Sequence, residues 1–222
     1  MLKNNPSRIF ITLALLTALG PLASAQDESE PASKPWITIS SPAGFATVST
    51  GGNWSLKDGV ISLTPRAGES GWQRFGSYLW LGKDYSNFEC SFDYRHEAGG
   101  NSGFYFRVAD PKDPVKTGVE LQLLDCHAKA QLGWHDLGGL IKFTREGHKN
   151  PLKKATKPAG EWNTVLISLK NHHLSISING ITVQDHPFDP ELPRNGKIGF
   201  QDHGLPFHLR NFKIRSAAAD AR

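Results

Sequence analysis

The 222-residue sequence has few cysteines, almost no charge surplus and none of the short motifs that mark several large enzyme classes. Two cysteines are too few for a disulfide framework. The formal net charge is +4, and two of the cations precede residue 25, so the chain lacks the basic surplus typical of nucleic-acid-binding proteins. It contains no GxSxG, P-loop or dinucleotide-binding motif, which argues against those hydrolases, kinases and dehydrogenases.

Long apolar runs are also missing after the first 25 residues. Lys3 and Arg8 accompany a short apolar segment, residues 9–19, and Ala23-Ser24-Ala25 is typical of a signal-peptide cleavage site. The segment is shorter than the roughly 20 residues that span a bilayer, so we expect no stable membrane insertion. The sequence predicts a secreted or periplasmic protein. Its predicted parts are a signal peptide (1–25), a flexible leader (26–35), a single domain (36–216) and a short tail (217–222).

Apolar and polar residues alternate with a period of two in short runs across the rest of the chain. Such alternation is typical of half-buried β-strands, and it covers residues 88–95, 104–108, 119–123, 165–169, 174–178, 198–200 and 212–214. Asn179-Gly180 lies between two apolar runs and predicts a type I′ hairpin. No convincing ten-residue helix is present. We expect an all-β, two-sheet antiparallel β-sandwich of the jelly-roll type, with little or no helix.

Two features leave alternatives open. Cys90 and Cys126 both follow the signal peptide, and an oxidising compartment permits a disulfide between them, but sequence spacing does not decide it. Residues 142–157 hold six basic residues and one acid, and they are predicted to form a long loop. This loop is either a solvated basic surface or a cover over a cleft for an anionic or polyhydroxylated ligand.

The strand at residues 119–125 carries the first candidate site. Glu120 and Gln122 share one face, and the other face is aliphatic. Strict alternation places Asp125 with the aliphatic residues, whereas a β-bulge at Leu123-Leu124 would return it to the side of Glu120. With the bulge, two carboxylates and an amide line one groove and can carry out acid–base chemistry on a sugar. Without it, the strand has an ordinary polar solvent face.

Two further segments carry candidate polar residues. In residues 100–107, Tyr105 and Arg107 point away from the apolar face, and Arg107 is expected near Glu120 if the two strands are neighbours. The alternative is a cross-strand Arg–Glu pair that only stabilises the sheet. Gln201 and His203 lie in a short polar run that ends at a glycine, a typical place for a site. The nine histidines show no metal-ligand spacing. Trp72, Trp80 and Trp134 can stack on sugars or belong to the core.

Four blocks of sequence resemble the 3-keto-disaccharide hydrolase domain family. They are GNSGFYFRV, GVELQLLD, GEWNTVLISLKNHHLSISINGITVQD and GKIGFQDHGLPFHLRNFKIR, in order along residues 36–215. The resemblance implies a concanavalin-like jelly roll, export in a bacterium, and cleavage of glycosides already oxidised to a ketone at C3. It also implies an upstream sugar 3-dehydrogenase as a pathway partner. The E-x-Q-x-x-D spacing is similar to the bulged E-x-D-x-x-E strand of laminarinase-like glycosidases, with an amide and a shorter acid substituted.

The resemblance leads to an assignment of roles around the C2 proton, which the neighbouring ketone acidifies. Glu120 or Asp125 is the expected base, Arg107 the cation facing the developing oxyanion and His203 the acid that assists the leaving group. A divalent, calcium-like cation held by Asp125, Glu120 and amide oxygens is the alternative to Arg107. Hydrolysis and elimination followed by hydration stay open, and the rival function is a non-catalytic carbohydrate-binding module. The expected substrate contacts are Gln122, Asn101, Tyr105, Gln201, Arg210 and Trp80.

Overall fold

The computed structural model describes residues 34–39, 45–48, 54–65, 68, 78–144, 147–170 and 172–217. The predicted signal peptide, most of the predicted leader and tail, and Trp72 lie outside these residues. The described residues form fifteen strands and one short helix: β1 (Ile37–Ile39), β2 (Phe45–Val48), β3 (Trp54–Lys57), β4 (Val60–Leu63), β5 (Tyr78–Leu81), β6 (Phe88–His96), β7 (Asn101–Val108), α1 (Pro114–Thr117), β8 (Val119–Leu124), β9 (Leu140–Thr144), β10 (Gly147–Lys149), β11 (Asn163–Lys170), β12 (His173–Ile178), β13 (Ile181–Pro187), β14 (Lys197–Gln201) and β15 (Phe207–Ser216).

The strands form two antiparallel sheets, as the alternation predicts. One sheet has the order β13-β12-β11-β6-β15-β4-β3, with β1 also paired to β15. The other has the order β10-β9-β8-β7-β14-β5-β2. Neighbours in space are often distant in sequence, since β7 pairs with both β8 and β14. The all-β sandwich expected from the sequence is confirmed, and helix among the described residues is limited to the four residues of α1.

The core lies between the sheets and is rich in aromatic rings. Phe92 of β6 contacts Phe104 of β7 and Phe200 of β14, with ring centroids 5.2 Å and 5.0 Å apart. Phe212 of β15 packs on the same ring of Phe92. Because side chains alternate along a strand, the residues just before and after each core residue point to the opposite face of the sheet. On the second sheet that opposite face carries the site described below.

The structure tests three local features of the sequence. Asn179 and Gly180 connect β12 to β13, and both have positive φ, 53° and 78°, so the predicted type I′ hairpin is confirmed. Residues 142–157 are not one long loop, because β9 and β10 pair as antiparallel strands within this segment. Cys90 and Cys126 are buried free thiols, so the two are not bridged. No helix among the described residues is long and apolar enough to cross a membrane.

Candidate functional site

A cavity of about 420 Å³ lies on the face of the second sheet that points away from the core. Alternation explains its position: Leu121 and Leu123 of β8 are buried in the core, so Glu120 and Gln122 of the same strand face the other way. Eleven side chains from β7, β8, β9, β10, β14, α1 and the intervening loops line the cavity: Asn101, Tyr105, Val115, Glu120, Gln122, Trp134, His135, Ile141, His148, Gln201 and His203.

Glu120 is the acidic group of this cavity, and its surroundings favour the protonated form. It is only 6% exposed, and this burial raises the pKa of its carboxyl to about 7. Tyr105 lies directly opposite it on β7, and the Tyr105 hydroxyl donates a hydrogen bond of 2.6 Å to Glu120 Oε2, which opposes the rise. A carboxyl group that titrates near neutral pH can accept and release a proton under physiological conditions.

Gly103 makes the room that the Glu120 carboxyl occupies. Gly103 lies on β7 opposite Gln122, and Glu120 Oε1 occupies the space that a Cβ of residue 103 would take. A Cβ atom built at residue 103 would lie 2.1 Å from Oε1 and 2.8 Å from Cδ. Only glycine therefore leaves the carboxyl in its present position, held between the Gly103 backbone and the Tyr105 hydroxyl.

An aromatic cluster supports Tyr105 on its other side. Tyr78 and Trp80 of β5 stack with ring centroids 4.7 Å apart, and Tyr105 meets Tyr78 edge-on at 5.2 Å. Burial raises the pKa of Tyr105 well above its ordinary value, and the nearby Glu120 adds to the effect, so its hydroxyl stays a donor. Trp80 is predicted to bind substrate, but it lies against Gly199 and outside the cavity lining.

Part of the polar cavity lining consists of three amides and the imidazole of His203. Asn101 Nδ2 lies 3.2 Å from His203 Nε2, which joins β7 to the loop after β14. Burial lowers the pKa of His203 and so favours the neutral form of its ring. Gln122 Oε1 accepts a hydrogen bond from the Leu123 backbone N–H at 3.0 Å, which leaves Nε2 as its donor for a ligand. Gln201, an expected substrate contact, also lines the cavity.

Arg107 does not lie beside Glu120, and the expectation that the two side chains would be close is wrong. The pairing of β7 with β14 shifts register between Tyr105 and Val108, and Arg107 takes a φ of 55° there. This bulge turns the Arg107 side chain away from the cavity. Its Nη1 donates to the Pro193 carbonyl at 2.8 Å, and its guanidinium lies over the Phe188 ring.

Asp125 and Arg210 also lie outside the cavity. The register of β7 with β8 runs without a break to Leu124, so the bulge at Leu123-Leu124 is absent. Asp125 follows the end of the strand, where its Oδ2 accepts a hydrogen bond from Gly99 N at 2.9 Å. Arg210 belongs to β15 in the other sheet, where it bonds Asp93.

The described residues offer no ready-made metal site. No three His, Cys, Asp or Glu side chains within this part of the chain are grouped so that they could hold an ion. Glu120 and Asp125, the two carboxylates expected to bind a calcium-like cation together, do not meet in the cavity. A cation bound beside Glu120 would therefore need ligands from the substrate or from amide oxygens.

Sequence reasoning missed His135 and His148, and it left Trp134 open between sugar stacking and the core. Trp134 is 40% exposed and stacks on His148 with centroids 3.9 Å apart, while His135 meets the Trp134 ring edge-on. His148 Nδ1 accepts a hydrogen bond from Lys142 N at 3.0 Å, which fixes its ring. Trp134 and His135 lie in an irregular loop, where no periodicity signals which side chains face a site.

Comparison with known proteins places the chain among carbohydrate-active proteins. The family model described as "3-keto-alpha-glucoside-1,2-lyase-like domain" matches residues 40–215. A 3-keto-disaccharide hydrolase of Bacteroides thetaiotaomicron is 24% identical, and the match covers 73% of this chain and 69% of that protein.

Solved structures share the fold. A structure from Parabacteroides distasonis, described as a candidate glycosyl hydrolase, is 27% identical with a TM-score of 0.60, covering 75% of this chain and 83% of that one. A Bacillus subtilis protein with a galectin-like fold is 16% identical with a TM-score of 0.61, covering 86% and 99%. The second likeness shows the architecture alone.

Proposed function

The chain belongs to the family of 3-keto-alpha-glucoside-1,2-lyase-like domains, and from this premise we propose that it cleaves 3-keto-glycosides by removing the proton at C2. The observation that carries the proposal is Glu120, a buried carboxyl with a pKa of about 7 in a cavity lined by amides, imidazoles and a tryptophan. A base whose pKa lies near the working pH is suited to proton abstraction.

The proposed reaction breaks two bonds at the oxidised sugar ring. Glu120 takes the C2 proton, and the electron pair of the C–H bond forms an enolate with the C3 carbonyl. That enolate then expels the C1 oxygen substituent, so the C1–O bond breaks, a C1–C2 double bond forms and the leaving alcohol takes up a proton. Addition of water across the new double bond gives the free 3-keto sugar, so the net result is hydrolysis.

The other polar residues of the cavity can bind the sugar and stabilise the enolate. The Nε2 group of Gln122, together with Asn101 and Gln201, can donate to sugar hydroxyls and to the enolate oxygen. His203, the expected acid that assists the leaving group, lines the cavity, where burial lowers its pKa. Arg107 and Asp125, which face elsewhere, are left out of the proton transfers.

Purified protein incubated with a glucoside and with its 3-keto counterpart tests the proposal. We expect release of the leaving group from the 3-keto substrate only, because the unoxidised sugar lacks an acidic C2 proton. Binding of both without release from either would contradict the enzyme assignment and favour the rival carbohydrate-binding module. A parallel assay with chelator tests the divalent cation that is the alternative to Arg107: loss of activity that one metal restores would assign enolate stabilisation to that ion.

Tyr105→Phe is expected to move the pH dependence of kcat/KM to higher pH. In the wild type kcat/KM rises as Glu120 ionises through pH about 7, since the carboxylate is the active form. The Tyr105 hydrogen bond stabilises that carboxylate, and its loss shifts the inflection upward by about 1–2 pH units. Tyr85→Phe, a buried tyrosine outside the cavity lining, is the control. An unchanged inflection would exclude Glu120 as the titrating base.

Export and a pathway partner complete the proposal. The basic, apolar and small-residue pattern of residues 1–25 supports cleavage after Ala25. Full-length expression in a Gram-negative host should yield a periplasmic protein whose N-terminal residue, read by mass spectrometry, is Gln26. A cytoplasmic protein that retains Met1 would refute export. Since the substrate already carries a ketone, a sugar 3-dehydrogenase must act before this protein.

A further inference from the structure

A second cavity adjoins the one that holds Glu120. Its volume is about 590 Å³, and the ring of His148 lines both cavities. Lys116, Lys142, Leu192 and Pro193 form other parts of its wall. A ligand that lies beside Glu120 and extends past His148 therefore enters the second cavity, named here the basic pocket. The family assignment describes elimination across C1 and C2 and gives this pocket no role.

The wall of the basic pocket carries positive charge. Its described lining includes Lys116 and Lys142 and no carboxylate. Lys116 is paired with Asp113 at 3.0 Å, but both are partly exposed, so water screens this pair. Lys142 has no ion-pair partner within the described residues. Asp113, whose carboxyl interacts with both lysines, does not line the pocket.

A buried arginine lies under the same wall. Arg107 is 5% exposed, and its Nη1 donates to the carbonyl of Pro193, a residue of the pocket lining. Burial and the neighbouring Arg194 lower the pKa of Arg107 to about 10. Buried arginines are usually paired with a carboxylate, yet none of the described acids pairs with this one. Its charge therefore adds to the field of the two lysines and favours an anion nearby.

We propose that the basic pocket binds an anionic group, a carboxylate or a phosphate ester, on the leaving portion of the substrate. This inference rests on the proposed function, because it places the oxidised ring beside Glu120 and the leaving group beyond His148. The stacked pair of Trp134 and His148 then separates the ring that reacts from the group that departs. The preferred substrates are 3-keto-glycosides with an acidic leaving group.

Two 3-keto-glucosides that differ only in charge test the inference. Their leaving groups are 4-carboxyphenol and 4-carbamoylphenol, which have nearly the same shape. At low salt we expect kcat/KM to be about tenfold higher for the carboxylate, and this advantage should shrink as salt is added. A 4-phosphonooxyphenyl substrate shows which of the two anions is preferred. Equal kcat/KM for the charged and neutral substrates would overturn the inference.

Variants of Lys116 and Lys142 test whether the basic pocket causes the higher kcat/KM of the charged substrate. Lys142→Gln and Lys116→Gln should remove the advantage of the charged substrate and leave cleavage of the carbamoyl substrate unchanged. Lys112→Gln, which changes an exposed lysine between β7 and α1 outside the lining, is the matched control and should behave as wild type. An advantage that survives in the Lys116/Lys142 double variant would contradict the assignment to this pocket.

Binding without turnover separates this inference from the proposed function. Calorimetric titration with unoxidised 4-carboxyphenyl glucoside needs no reaction. Binding that depends on Lys116 and Lys142, with no cleavage of any 3-keto substrate, would refute the proposed function and support the basic pocket. Cleavage of both 3-keto substrates at equal rates in every variant would refute the basic pocket and leave the proposed function standing.

Discussion

Glu120→Gln should lower kcat on a 3-keto-glucoside by about 100- to 10,000-fold and change KM little. The amide is close to the carboxyl in size and can still accept the Tyr105 hydrogen bond, so the cavity keeps its shape. It cannot take up the C2 proton, and the loss therefore falls on the chemical step. Steady-state kinetics of the purified variant measures it.

Glu161→Gln supplies the matched control, since Glu161 is exposed and lies outside the cavity lining. It should retain wild-type kinetics. Near-normal turnover in Glu120→Gln would show that another group removes the proton. Loss of binding together with turnover would instead indicate that Glu120 contacts the sugar without acting as a base.

The same variant carries a stability signature that does not depend on substrate. The pKa of Glu120 rises from 4.5 to about 7 on folding, so the folded state holds the proton more tightly than the unfolded state. Its contribution is present in full below pH 4.5 and is lost as pH rises through 7. Wild type should therefore lose about 3 kcal/mol relative to Glu120→Gln between pH 4 and pH 8. Urea unfolding of both proteins at the two pH values measures this difference.

Gly103→Ala should reduce kcat/KM at least about tenfold, because it displaces the carboxyl that carries the reaction. The added methyl would lie 2.1 Å from Glu120 Oε1, so the carboxyl must move, and its hydrogen bond to Tyr105 is lost or lengthened. The cost in stability should be about 1–3 kcal/mol, the usual range for overpacking a filled site. Kinetics and urea unfolding of the variant check the two effects separately.

Gly133→Ala is the control for Gly103→Ala. A Cβ at residue 133 meets only Asp136 Oδ2 at 3.9 Å, an ordinary contact, although the residue precedes Trp134 in the cavity wall. It should keep activity and stability close to wild type. Full activity of Gly103→Ala would show that the position of the Glu120 carboxyl is unimportant for catalysis.

Strand alternation predicts which residues face the site in one strand and fails in the neighbouring one. Alternation in residues 119–123 correctly separates Leu121 and Leu123 from Glu120 and Gln122, because side chains of a strand alternate with a period of two. The same rule fails at Arg107. A bulge against β14 inserts one extra residue there, and this depends on a partner strand about 90 residues away in the sequence.

The sequence by itself determined the two-sheet fold, the hairpin at Asn179-Gly180 and the strand face that carries Glu120. Each follows from local periodicity or turn chemistry, which is written in consecutive residues. Only the tertiary structure decided that Glu120 is buried against Gly103 and Tyr105, that Trp134 and His148 join its cavity, and that Asp125 does not. Burial and the convergence of loops depend on which distant strands pair, and these set the pKa of Glu120 and hence the chemistry available to it.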